Sequence, residues 1–222
     1  MEGFRKFAAL TVTAATGALA LAALYLELRV RQAGVMVLAL VVLGTFIDFL
    51  GSYTGAFISQ QSRLLLFTKT RFSLLNFGII FTPLSAAFIL DETPNAPLCS
   101  ALAALYPGLA VFSLGTGALF LFAKYIQAKD EGVATYRLDL DDPFTKRAFL
   151  IRRIILAGSL VIAILVGIDG LRSGMAVWTA LFCLLFIATV PLHILHKHVC
   201  SMAAEAVTLA VLFYGTVRVF AK

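Results

Sequence analysis

Charge is what this sequence has least of. Asp, Glu, Lys and Arg make up 14% of the 222 residues, while 61% are hydrophobic. A soluble domain carries about 25% charged and roughly 45–50% apolar residues. The mean hydropathy is +0.96. Surface-to-volume scaling leaves a soluble fold of this size unable to hide so much apolar area. A soluble enzyme, a disordered chain and a coiled coil are excluded, and the solvent of this chain is largely lipid.

Cysteine and histidine are also scarce. Three cysteines (Cys99, Cys183, Cys200) have no close spacing and an odd count, which gives neither a disulfide framework nor a zinc framework. All three histidines (His193, His196, His198) fall within six residues. Haem ligation between helices and zinc hydrolysis from separated helices both lack their second histidine. C-x-x-C, H-E-x-x-H, the P-loop and G-x-S-x-G are all absent. So is the N-x-S/T sequon. The net charge of +6 sits between apolar runs rather than in an aromatic-interleaved patch, so it predicts lipid headgroup contact and no nucleic acid.

What is present is a series of apolar windows, each near the roughly 20 residues that a bilayer crossing needs. They run over 7–26, 33–57, 72–90, 101–123, 154–171, 175–194 and 199–220. The expected fold is an all-α, polytopic membrane bundle of about seven transmembrane helices forming one domain. The first window has the basic start (Arg5, Lys6) and the Ala18-Leu19-Ala20 triplet of a signal sequence, but is read as a retained span. Its small residues, Gly17 among them, suit close helix packing. With the N-terminus inside, thirteen of the eighteen Lys and Arg face inward, which predicts an outer C-terminus. That parity is opposite to the G-protein-coupled receptors, and no retinal-type lysine lies in the seventh window.

The one sizeable loop, 124–153, is mixed in charge and expected on the inner side. Asp142-Pro143 reads as an N-cap followed by a first-turn proline, opening a helix that continues into the fifth span. Asp142, Phe144 and Arg147 are its candidate partner-docking residues. The stretch 59–71 reads as a short basic connector. Pro83, Pro107 and Pro191 mark possible kinks. Asp169 and Arg172 suggest an exposed ion pair at the outer end of the fifth span.

Ionisable residues at membrane depth cost about 2.5–3.5 kcal/mol each on insertion scales and point to function. Asp48 shares a face with Gly44, Ser52 and Gly55, and Gly51 and Gly55 make a small-xxx-small pair. Glu205 shares a face with Ser201, Thr208 and Thr216. Asn76 and His193 fall at similar depth. Asp48, Asn76, Glu205 and His193 are therefore the candidates for a binding or relay site in an inner-leaflet polar cavity. A structural role, one buried carboxylate fixing helix register, competes with that reading. His193, His196 and His198 are metal candidates, although H-x-x-H-x-H is not a standard helical pair.

Three functions fit. The leading one is a non-catalytic subunit or scaffold of a membrane assembly. Behind it stands a transporter or channel for a small solute, ion or lipid, built around Asp48 and Glu205. A lipid-modifying integral enzyme comes third. Bound lipid is the expected cofactor-like component. Membrane lipids and other membrane subunits, or further copies of the chain, are the expected partners.

Overall fold

The computed structural model describes residues 2–54, 61–130, 133–194 and 198–220. Within these, the side chains of 2–6, 51–54, 128–130, 133–135, 190, 193–194 and 198–199 lie outside the description. Among the described residues the chain forms eight helices and one hairpin: α1 (Glu2–Val30), α2 (Ala33–Thr54), α3 (Gln61–Asp91), α4 (Pro97–Ala104), α5 (Tyr106–Phe122), β1 (Tyr125–Asp130), β2 (Val133–Leu138), α6 (Pro143–Arg172), α7 (Ala176–Ile194) and α8 (His198–Phe220).

Five of these helices, α1, α2, α3, α6 and α8, are long and apolar enough to cross a membrane. The pair α4 and α5 makes a sixth candidate if it counts as one span, although it is bent by 55°. The apolar part of α7, Ala176–Thr189, is shorter. Several apolar helices mark a multi-pass membrane protein, and its exposed surface agrees. Large apolar side chains such as Val111, Phe122, Leu171 and Val177 stand at 69–84% exposure. Only lipid would wet so many of them without penalty.

The bend between α4 and α5 replaces the straight window expected over 101–123. Pro107 has no N–H to give the carbonyl of Ala103, and its ring would collide with that oxygen. The chain responds one turn earlier: the amide of Leu105 bonds Leu102 O at 3.1 Å, and α5 starts afresh. Pro83 and Pro191, by contrast, lie inside continuous helices.

Helix α3 is the centre of the bundle, packing against α2, α5, α6 and α8. Its central and C-terminal half buries Ile80, Phe81, Leu84, Ile89 and Leu90. The stretch expected as a connector is helical from Gln61, which places Arg71 on a helix rather than in a loop. Helix α6 runs unbroken from Pro143, as the Asp142-Pro143 signal predicts. Asp142 Oδ2 accepts the Thr145 backbone amide and hydroxyl, both at 2.9 Å. Thr145 Oγ1 in turn accepts the Lys124 amide at 2.8 Å and ties the end of α5 to the start of α6.

The loop 124–153 holds a feature not expected from the sequence. β1 and β2 pair antiparallel, with Tyr125 opposite Leu138 and Asp130 opposite Val133. The Tyr125 hydroxyl donates to Phe120 O at 2.9 Å and anchors the hairpin on the end of α5. Burial pushes that phenol well above its usual range, against the opposing pull of Arg152.

Candidate functional site

Asp48, Arg71, Arg152 and Glu205 come from four different helices. Each lies between about one and a half and three turns from the same end of the bundle, the end that carries the hairpin. The Arg71 Nε donates to Asp48 Oδ1 at 2.6 Å, and both side chains are largely buried, at 21% and 8% exposure. Arg152 is held differently. Its guanidinium lies 5.4 Å from the Phe72 ring centroid and 6.0 Å from that of Phe120. Both faces are suitable for a partly desolvated cation. Arg152 interacts electrostatically with Asp48, Arg71, Tyr125 and Glu205, and Glu205 in turn with Asp48, Arg71 and Arg152. The result is a cluster of two carboxylates and two guanidiniums in which Asp48 and Arg71 are in direct contact and the remaining opposite charges lie close enough to offset part of the desolvation.

Glu205 carries one hydrogen bond among the described residues, from Ser201 Oγ to Oε1 at 3.3 Å. Glu205 also lines a partly open cavity of about 80 Å³ between α2, α3, α6, α7 and α8. Apolar walls come from residues such as Leu75, Ile79, Leu156 and Phe186, and hydroxyls from Thr45, Thr82, Thr189 and Thr208. Asp48 is not among the lining residues; Thr45, one turn earlier on the same helix, is. The two carboxylates therefore share one electrostatic neighbourhood, and Glu205 is the one that faces the void.

No family model matches the chain, and comparison with curated proteins finds no similar sequence. The site has to be argued from its own geometry.

Asn76 belongs elsewhere. It is fully buried, and its Nδ2 donates to Thr116 Oγ1 at 2.9 Å, joining α3 to α5. The expected histidine cluster falls outside the described side chains, with His196 outside the described backbone as well. Among the described residues no group of three or more His, Cys, Asp or Glu is placed to hold a metal ion. Phe144 and Arg147 are exposed near the start of α6, while Asp142 is occupied with capping that helix.

Three sequence expectations are corrected. Arg71 is not a connector cation but a helix residue bonded to Asp48, whereas Arg152 lies on the helix entering the fifth span, as expected. Gly44, on the face expected to pack against another helix, is no close-packing point, because among the described residues a methyl group added there meets nothing within 4 Å. Asp169 is not an exposed ion-pair partner. It is fully buried, with Arg172 Nη1 3.7 Å away and 56% exposed. The packing expected of Gly17 is present, since an added Cβ would sit 2.8 Å from the Phe46 ring.

Proposed function

We propose that the chain is a multi-pass membrane transporter or channel for a small solute or ion, with Glu205 at its binding site and the Asp48–Arg71 pair and Arg152 as the charges that set the local field. The observation that carries this reading is the cavity among five helices with one carboxylate on its wall. An intramembrane carboxylate facing a cavity is a common mark of a solute pathway. The membrane topology adopted with this reading is seven crossings with the N-terminus inside, on the distribution of Lys and Arg.

The test is uptake into proteoliposomes from a panel of small cations, anions and neutral solutes. Uptake by the wild-type chain, lost in Glu205→Gln while helicity and the unfolding midpoint hold, supports the reading. A chain that extracts from its membrane only with a fixed set of other proteins, and takes up nothing alone, returns the assignment to a subunit. A chemically altered lipid that disappears with the same substitution returns it to an enzyme.

A further inference from the structure

The four threonines on the cavity wall share a detail that the cavity's size and lining do not reveal. Each spends its hydroxyl proton on its own helix. Thr45 Oγ1 donates to Val41 O at 3.0 Å, Thr82 to Gly78 O at 2.8 Å, Thr189 to Phe186 O at 2.7 Å and Thr208 to Ala204 O at 2.7 Å. A hydroxyl has one proton and two lone pairs, so each of these oxygens is left as an acceptor. Backbone amides inside helices are likewise committed to the helix ladder. Glu205 adds a carboxylate, whose one hydrogen bond from a described residue comes from Ser201 on its own helix. The polar groups on this wall are acceptors, set among apolar ones.

We infer that the cavity binds a small monovalent cation, of the size range from sodium to methylammonium. This rests on the proposed solute-binding role of the same site and names its ligand class. An acceptor-lined wall matches a ligand that brings only positive charge or donors, and it repels anions. The volume sets the size. Drug-sized ligands occupy pockets of roughly 300–1,000 Å³. The cavity's 80 Å³ instead suits an ion with a few waters, or an amine of one or two heavy atoms.

The neighbouring guanidiniums do not occupy the position. Arg71 is committed to Asp48 at 2.6 Å. Arg152 rests over Phe72 and Phe120 and divides its field among Asp48, Tyr125 and Glu205. Among the described residues neither donates a hydrogen bond to Glu205, whose cavity-facing side is open to a ligand.

The experiment is thermal unfolding of the full chain in detergent, at constant chloride and ionic strength. N-methylglucammonium is replaced stepwise by sodium, ammonium or methylammonium. We expect a saturable rise in Tm with at least one of the three. Glu205→Gln should weaken the apparent affinity about ten- to a hundredfold, as loss of a charged partner does, and Thr208→Val about two- to tenfold. If Glu205→Gln does not fold, Thr45→Val and Thr208→Val carry the same comparison. No rise with any of the three cations, or a rise unchanged in the variants, overturns the inference. The uptake panel separates its failure from that of the broader reading. Glu205-dependent uptake of an anion or a neutral solute keeps the transport role and removes the cation, whereas no uptake of any solute removes both.

Discussion

Asp169 Oδ2 accepts the backbone N–H of Cys99 at 2.8 Å, joining α6 to the first turn of α4 across 70 residues of sequence. The N-cap of α4 is Ala96, which has no side-chain acceptor, and Pro97 follows it. A carboxylate from another helix therefore does what a local Ser or Asp would do, and its charge favours the positive end of the helix dipole. Among the described residues Asp169 Oδ1 has no hydrogen-bond partner, and Arg172 stands 3.7 Å from it. Removing the acceptor with Asp169→Ala leaves a buried N–H unmet and should cost about 1.5–3 kcal/mol. Asp169→Asn keeps an oxygen of the same shape and should cost clearly less. Equilibrium unfolding in detergent compares the two, and equal losses would refute the capping role.

The Asp48–Arg71 pair should show the asymmetry of a buried ion pair. Breaking it from one side removes the closest partner of the other charge, a loss of up to about 3–5 kcal/mol where desolvation is strong. Asp48→Asn and Arg71→Met should each be strongly destabilising. The double substitution should recover part of the loss, with a coupling energy of about 0.5–3 kcal/mol in a double-mutant cycle. Strict additivity would mean that the 2.6 Å contact contributes nothing.

Much of this arrangement was legible in the sequence, because lipid imposes simple rules on it. Long apolar windows located most helices to within a few residues, and Asp142-Pro143 located the start of α6. That Asp48 and Glu205 lie about two turns from helix ends at the same end of the bundle followed from counting residues along each window. Rotation about each helix axis did not follow, because an apolar helix in lipid has no polar face to orient it. That is why Arg152, though placed on the helix entering the fifth span, was not read as a neighbour of the carboxylates, and why Asn76 was grouped with Asp48 when it bonds Thr116. Asp169 was misread for a related reason. A carboxylate beside an arginine one turn away looks self-sufficient, and its true partner lies on a distant helix. The hairpin had a signal that a mixed-charge loop obscured. Tyr125-Ile126-Gln127 and Val133-Ala134-Thr135-Tyr136 carry β-favouring residues, and they flank a gap that ends in Gly132.

The cap at Asp142 should confer an acid-sensitive start to α6. The Thr145 amide is the main cause holding this carboxyl below its ordinary 3.8, with the Thr145 hydroxyl next. A depressed value means that the contribution is complete above the unfolded value and is lost as pH falls through the lower folded one. Hydrogen exchange at Thr145 and Lys146 should therefore be slow above pH 4 and accelerate below it, beyond the intrinsic pH trend. In Asp142→Ala the protection should be low throughout and lose that step. An unchanged step in the variant would assign the transition to another group.

Helices α6, α7 and α8 meet at two glycines, and these should tolerate no methyl group. A Cβ on Gly170 would overlap the Thr179 side chain, which is buried and bonded to Met175 O at 2.7 Å. A Cβ on Gly215 would lie 2.5 Å from Trp178 Cε2, and the indole is pinned because its Nε1 donates to Val211 O at 2.7 Å. Neither neighbour can move without giving up its own hydrogen bond, so Gly170→Ala and Gly215→Ala should each destabilise by about 1–3 kcal/mol. Gly158 lies on the same helix as Gly170 but, among the described residues, has nothing within 4 Å of an added Cβ. There the helical preference for alanine, about 0.8–1.0 kcal/mol, should act unopposed and raise the unfolding midpoint. Trp178 is the only tryptophan, so the emission comes from the ring that meets Gly215. The spectrum should shift in Gly215→Ala and stay fixed in Gly158→Ala. A shift in neither variant would mean that α7 and α8 are not packed through this pair.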